Sequence, residues 1–206
     1  MNDLPITPTI GIDRGASFTD FAVIESGSLG ETLSIGTGTA IVHFSEQGAR
    51  HVGGTGMGGG TIKGLSSVIC GLEDPLQIEA QAQKGNPSRI NLTISDLGYE
   101  GLSFLDSDMT ASNFAHIQSK TPEDMAAGIL RLVGETVGII ASLCAREFNC
   151  PDRVVVVSKV ANSQFIRNTI DLVGKLYQTQ FTYPENAGHA TVYGAVMKFN
   201  HDRMVK

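Results

Sequence analysis

Two glycine clusters lie close together in this chain: Ser34-Ile35-Gly36-Thr37-Gly38-Thr39-Ala40, then Val52-Gly53-Gly54-Thr55-Gly56-Met57-Gly58-Gly59-Gly60-Thr61. An ordered glycine gives up more backbone entropy than any other residue, so this density marks turns where side chains would obstruct a close approach. The second cluster runs into Ile62, Leu65, Val68 and Ile69, a spacing that predicts a helix. A glycine-rich turn feeding a helix N-terminus suits an anion, because unpaired N–H groups and the helix dipole both favour phosphate there. A flexible surface loop is the competing reading. The apolar residues flanking both clusters favour order.

With 206 residues, the chain has length for one large domain or two small ones. Its 41% hydrophobic and 17% charged residues describe an ordinary globular protein. A net charge of -6 and the lack of a Lys/Arg run argue against a nucleic-acid surface. The start, Met1-Asn2-Asp3-Leu4-Pro5, has neither the basic nor the apolar part of a signal peptide. The apolar runs read as too short, and too interrupted by glycine and charge, to cross a bilayer. Cys70, Cys144 and Cys150 lack metal-type spacing and read as reduced thiols of a cytoplasmic protein, with Cys150 placed near the surface beside a helix end.

Alternation predicts two strands, Thr9 to Ile12 and Phe18 to Ile24, around the turn Asp13-Arg14-Gly15-Ala16-Ser17. Further strands are expected at Thr32 to Thr37, Ala40 to Phe44 and Arg50 to Val52, then helices at about 58–70 and 75–83. Gly85 to Asp108 reads as a surface excursion with one short strand, Ile90 to Ile94, and Thr110 to Gln118 as a short helix. The longest helix starts at Thr121, where Thr-Pro-Glu-Asp supplies an N-cap hydroxyl, a proline at the first helical position and acids at the positive dipole end. It continues to about Asn149 and is apolar on more than one face, which calls for burial on both sides. A homodimer through this helix, with Gly134 and Gly138 admitting a second copy, is the expectation. Glu135 on this helix needs a cation, expected across that interface. A strand at Arg153 to Ser158, a helix at Ala161 to Leu176, a strand at Gln178 to Tyr183 and a helix at Ala187 to Asn200 complete an α/β domain.

These motifs, in this order, resemble the type II pantothenate kinases of the actin-like ATPase superfamily. Gly11-Ile12-Asp13 with its small-residue turn resembles that family's first phosphate loop, Gly36-Thr37-Gly38-Thr39 its second, and Val52 to Gly60 its glycine run. Asp108-Met109-Thr110-Ala111-Ser112-Asn113-Phe114, the helix ending Ala145-Arg146-Glu147-Phe148, and Gly194-Ala195-Val196 follow in the family's order. The resemblance implies a ribonuclease-H-like α/β fold with a truncated N-terminal subdomain. Residues 1–30 would be its reduced hairpin, and 31–206 a nucleotide-binding and dimerisation domain. It also implies ATP and Mg²⁺ as cofactors and phosphoryl transfer to pantothenate or a related small alcohol. The alternative is a non-catalytic dimeric relative that binds nucleotide or acyl-CoA. The family carries a longer segment between the first hairpin and second phosphate loop, with a Glu acting as base; here Ile24 reaches Thr32 in a few residues. Asp20 stands where the family has a Lys, His51 where it has a substrate-side Arg, and Val157 where it has a glycine.

The resulting nucleotide contacts are Asp13, Gly15, Ser17, Thr37, Gly38, Thr39, Gly59, Gly60, Thr61 and Ser158, with Asp13 holding Mg²⁺ through a carboxylate oxygen. Gly59, Gly60 and Thr61 are expected to contribute amides at a helix start, and Thr37 and Thr39 hydroxyls. Turn chemistry explains Asp13 and the threonines equally well on the residues alone. Ser158 ends a buried strand before a helix, where α/β folds place ligand contacts. Lys63 reads as solvated on the outer helix face, and the scattered histidines as structural or solvated. No catalytic residue is assigned.

Overall fold

The computed structural model describes residues 30–45, 48–98, 107–185 and 187–190. The hairpin expected within 1–30, with Asp13, Gly15 and Ser17, lies outside them, as does the closing helix beyond residue 190. A five-stranded mixed sheet runs in the order β3-β2-β1-β6-β7. Its antiparallel half is a meander of β1 (Gly30–Ile35), β2 (Thr39–Ser45) and β3 (Gly48–Thr55). Strands β6 (Val154–Val157) and β7 (Phe181–Thr182) extend it in parallel from β1. Leu33, Ile35 and Ile41 turn fully buried side chains to the core, as the period of two requires.

Between β3 and β6 the chain crosses through α1 (Gly59–Cys70), α2 (Pro75–Ala82), a two-stranded ribbon of β4 (Leu92–Thr93) and β5 (Thr110–Ser112), and α3 (Pro122–Glu147). Helix α4 (Gln164–Tyr177) joins β6 to β7. Helix α3 starts where the sequence places it. The Thr121 hydroxyl accepts the Asp124 N–H, Pro122 opens the first turn, and Glu123 and Asp124 face the positive dipole end. Helices α1, α2 and α4 and the strands β1 to β3 all pack against α3.

Several expectations change here. The span of 26 residues at α3, with mean hydropathy 1.6, is long and apolar enough to cross a membrane by length and composition, contrary to the sequence reading. In the fold it is the central core helix, with Val133, Val137 and Ala141 fully buried. Gly134 and Gly138 do not await a second copy. A Cβ on Gly134 would lie 2.7 Å from Thr169 Cγ2, and one on Gly138 3.2 Å from Val173 Cβ, so α4 of the same chain fills that space. Cys150 is fully buried rather than near the surface. The expected helix at Thr110 to Gln118 is β5 followed by a turn: Phe114 adopts φ 58 and its N–H is taken by Asn91 Oδ1 at 3.0 Å. The third strand extends to Thr55 and absorbs Gly53 and Gly54, because bare glycine lets α3 approach; a Cβ on Gly53 would meet Cys144 Sγ at 3.1 Å. Helix α4 begins at Gln164, after a 3-10 turn over Lys159–Asn162.

Candidate functional site

The two glycine clusters meet at the C-terminal end of β1. Gly59 N–H donates to the Gly36 carbonyl at 2.7 Å and Gly60 N–H to the Thr37 carbonyl at 2.9 Å. The Thr39 hydroxyl donates to the Met57 carbonyl at 2.7 Å. The Thr61 hydroxyl donates to the Gly56 carbonyl at 3.2 Å and accepts Gly58 N–H at 3.3 Å. Glycines are required here by proximity. A Cβ on Gly58 would lie 2.7 Å from the Thr37 oxygen and 2.8 Å from the Gly38 carbonyl carbon, and one on Gly60 would lie 2.8 Å from Thr37 Cγ2.

These bonds redistribute the roles expected from sequence. The first amides of α1, at Gly59 and Gly60, are spent on the β1–β2 turn, and the hydroxyl hydrogens of Thr39 and Thr61 are spent on carbonyls. Those four residues support the turn. The donors they set free belong to the turn itself. In a planar trans peptide the carbonyl of one residue and the N–H of the next point in opposite directions. With the Gly36 and Thr37 carbonyls aimed at α1, the N–H groups of Thr37 and Gly38 point away from it, and neither meets a backbone acceptor among the described residues. Two adjacent amides directed to one side form an anion-binding concavity. Thr37 is exposed, and no acidic residue lies in the first turn of α1.

The C-terminal end of β6 lies beside the turn, because β1 and β6 pair in parallel up to Ser34 and Val157. Ser158 adopts φ 86 and ψ 168, a region that essentially only glycine occupies without strain. Its N–H donates to the Ala187 carbonyl at 2.7 Å, and its hydroxyl lies 4.0 Å from where a Gly36 Cβ would be. That hydroxyl has no hydrogen-bond partner among the described residues. Val157 stands where the family resemblance implies a glycine, but the glycine-like conformation falls on Ser158. Val160 reaches back over the helix start, with Cγ2 3.0 Å from a Cβ on Gly59. Lys159, not among the contacts expected from sequence, is exposed beside Ser158 and has no acidic partner among the described residues. A lysine directly after a buried strand was the available signal.

The structure thus brings together Thr37, Gly38 and Ser158, with Gly58, Gly59, Gly60, Thr39 and Thr61 behind them. Exposed Lys63 lies on the solvent side of α1, as expected. Glu135 needs no cation from another subunit: Arg131, one turn earlier, reaches it at 2.7 Å, and Asn113 Nδ2 donates to it at 3.2 Å. His43 stacks on Phe148 at 4.4 Å. Among the described residues no group of three His, Cys, Asp or Glu side chains is placed to hold a metal.

Comparison with known proteins gives the arrangement a context. The family model named Fumble matches residues 32–198. Type II pantothenate kinases of Staphylococcus aureus strains USA300 and NCTC 8325 / PS 47 are each 31% identical over 168 residues, covering 79% of this chain. The chain spans 63% of the length of these curated relatives. Solved structures share the architecture. The activator of the 2-hydroxyisocaproyl-CoA dehydratase from Clostridium difficile, with bound ADPNP, has a TM-score of 0.51 at 15% identity, covering 85% of this chain and 62% of that one. A ligand-bound xylulose kinase from Lactobacillus acidophilus has a TM-score of 0.55 at 15% identity, over 84% of this chain and 39% of that one. A gluconate kinase from the same organism has a TM-score of 0.55 at 14% identity, over 85% and 39%. The fold is that of the actin-like ATPases.

Proposed function

Since the chain belongs to the Fumble family, that of the type II pantothenate kinases, we propose that it binds ATP with its phosphates on the β1–β2 turn. The observation that carries this reading is the orientation of the Thr37 and Gly38 amides, forced outward by the bonds from Gly59 and Gly60 to the turn's carbonyls. Ser158 contributes a hydroxyl from the neighbouring end of β6, and Lys159 a cation for charge neutralisation. Of the ten contacts drawn from sequence, Thr37, Gly38 and Ser158 touch the nucleotide, while Thr39, Gly59, Gly60 and Thr61 hold the turn in shape. Asp13, Gly15 and Ser17, with Asp13 as the carboxylate for Mg²⁺, are the contacts that the family resemblance adds, and they lie outside the described residues.

Phosphoryl transfer rests on positioning and on neutralising the charge that develops on the phosphoryl oxygens, which aligned amides and a lysine supply. It also needs a group that takes the acceptor's proton. The family's Glu for that step belongs to the segment missing between Ile24 and Thr32, so the inherited activity is transfer from ATP to pantothenate or a related small alcohol only where another group supplies the base. Without one, the same cleft serves a regulatory or scaffolding protein that binds nucleotide or acyl-CoA. Dimerisation in a cytoplasmic setting belongs to the same reading. With Gly134 and Gly138 used internally, Leu143 of α3, 52% exposed among the described residues, offers apolar surface to a second copy.

Calorimetric titration with ATP, with and without Mg²⁺, followed by an ATP-consumption assay with pantothenate, tests the proposal. Binding with pantothenate-dependent turnover supports the kinase reading. Binding without turnover selects the non-catalytic one. Absence of binding at millimolar nucleotide removes both.

A further inference from the structure

Helix α4 starts with no acidic residue in its own first turn, yet its N-terminus is met by a carboxylate from elsewhere. Glu79, in the middle of α2, accepts the Phe165 N–H at 3.0 Å through Oε1 and the Ser163 hydroxyl at 2.5 Å through Oε2. Ser163 Oγ in turn accepts the Ile166 N–H at 3.1 Å, so two of the orphan amides of α4 are satisfied through one carboxylate and one hydroxyl. Gln83 Nε2 donates to the same Oε1 at 2.9 Å and steadies the carboxylate from one turn along α2. This is an N-cap assembled from two helices, with the negative charge placed where the helix dipole favours it.

The capped end is continuous with the segment that carries Ser158 and Lys159. Ser163 closes the 3-10 turn over Lys159–Asn162, which begins at strained Ser158, and Arg167 of α4 clamps that turn by donating to the Ala161 carbonyl. On the other side, α2 follows α1, whose first residues hold the β1–β2 turn. Glu79 therefore fastens the segment that carries Ser158 and Lys159 to α2, and Val160 of that segment sits over the start of α1, its Cγ2 3.0 Å from where a Gly59 Cβ would be, next to the bonds that hold the β1–β2 turn. We infer that Glu79 is a positioning residue of the cleft: its carboxylate fixes the 158–163 segment relative to the β1–β2 turn and sets the gap a phosphate chain must span. The inference rests on the nucleotide reading for its functional consequence. Its structural half stands separately.

The test uses the full chain with Glu79→Ala, Glu79→Gln and, as control, Asp74→Ala. The control removes the cap of α2 itself, a bond from Leu76 N–H at 3.0 Å, and leaves α4 untouched. Hydrogen exchange reads positioning without nucleotide. Glu79→Ala is expected to speed exchange at Ala161, Phe165 and Ile166 at least tenfold, Glu79→Gln by less because an amide oxygen still accepts from Phe165, and Asp74→Ala not at all. Mg-ATP affinity by calorimetry reads the consequence, with a loss of about tenfold for Glu79→Ala, partial recovery in Glu79→Gln and none lost in Asp74→Ala. Unchanged exchange in a folded Glu79→Ala variant overturns the inference whether or not nucleotide binds. Local exchange that rises while affinity stays at the unmodified value, or affinity that falls equally in Asp74→Ala, overturns the link to the cleft. Lack of nucleotide binding by the unmodified protein is a failure of the nucleotide reading, and the exchange data then decide the structural half alone.

Discussion

Replacing Gly58 with alanine adds one methyl group at the point where the two glycine clusters touch. Gly58 has φ 175, extended backbone that any residue adopts, so the cost is steric rather than conformational. The new Cβ would lie 2.7 Å from the Thr37 oxygen and 2.8 Å from both the carbonyl carbon and the oxygen of Gly38. Three backbone atoms must retreat together by several tenths of an ångström, and none can rotate away as a side chain would. Overpacking of this kind costs about 1–3 kcal/mol. The same retreat strains the bonds that aim the turn, from Gly59 at 2.7 Å and Gly60 at 2.9 Å, and tilts the Thr37 and Gly38 amides. A hydrogen bond to a charged acceptor contributes about 1.5–3 kcal/mol, so losing one aligned amide weakens ATP binding about tenfold to a hundredfold. Urea denaturation and calorimetry measure the two effects. Gly64→Ala is the internal reference: a Cβ there meets nothing within 4 Å, and the change is expected to stabilise by about 0.5–1 kcal/mol with affinity intact. Unchanged stability and affinity in Gly58→Ala would refute the claim that the helix start shapes the turn.

Ser158→Gly relieves a conformation that costs a non-glycine residue about 1–3 kcal/mol, so it is expected to raise the urea midpoint while weakening ATP binding through loss of the hydroxyl; a lower midpoint contradicts the strain. Gly134→Ala drives a methyl against Thr169, 2.7 Å from its Cγ2 and 2.9 Å from its Cβ, and is expected to destabilise by about 1–3 kcal/mol, with Thr169→Ser restoring only part of it in the double variant because the Cβ contact remains. A destabilised dimer with an unaffected monomer fold would contradict the intramolecular packing. For Asp124, burial alone raises the pKa, but bonds from Ser119, the Asn86 N–H and Thr121, with the nearby Arg89 charge, outweigh it and hold the carboxyl below its ordinary range. The folded value being depressed, its contribution to stability is present above the ordinary carboxylate value and is lost as pH falls from there through the lower folded value. Asp124→Asn is expected to flatten stability against pH on the acid side, and an unaltered acid limb would refute the assignment.

Strongly periodic or capped segments were legible in the sequence. The start of α3 is written in Thr121-Pro122-Glu123-Asp124, and the end of α1 at Gly71, with φ 68, follows the usual glycine stop. Thr110 to Gln118 misled because a short polar-apolar run fits either period, and the deciding contacts come from Asn91 and Glu135, far away in sequence. The glycine clusters announced a close approach without naming its partner. Local reasoning gave the helix amides to a phosphate, whereas the fold gives them to Gly36 and Thr37 and turns outward the amides of the other cluster. In the same way Gly134 and Gly138 signal close packing but do not say whether the neighbour is α4 or another subunit; only the three-dimensional placement of Thr169 and Val173 decides it. Ser158 carries no local sign of its strained backbone, since glycine is absent there.

The most direct test of the central claim is an amide-resolved NMR titration of the labelled protein with Mg-ATP. The account predicts that the Thr37 and Gly38 N–H resonances shift most and saturate with the calorimetric Kd, while Gly59 and Gly60, already bonded to the turn, move less. Saturable ATP binding that leaves Thr37 and Gly38 unmoved, with the largest shifts at Gly59 and Gly60, would contradict it.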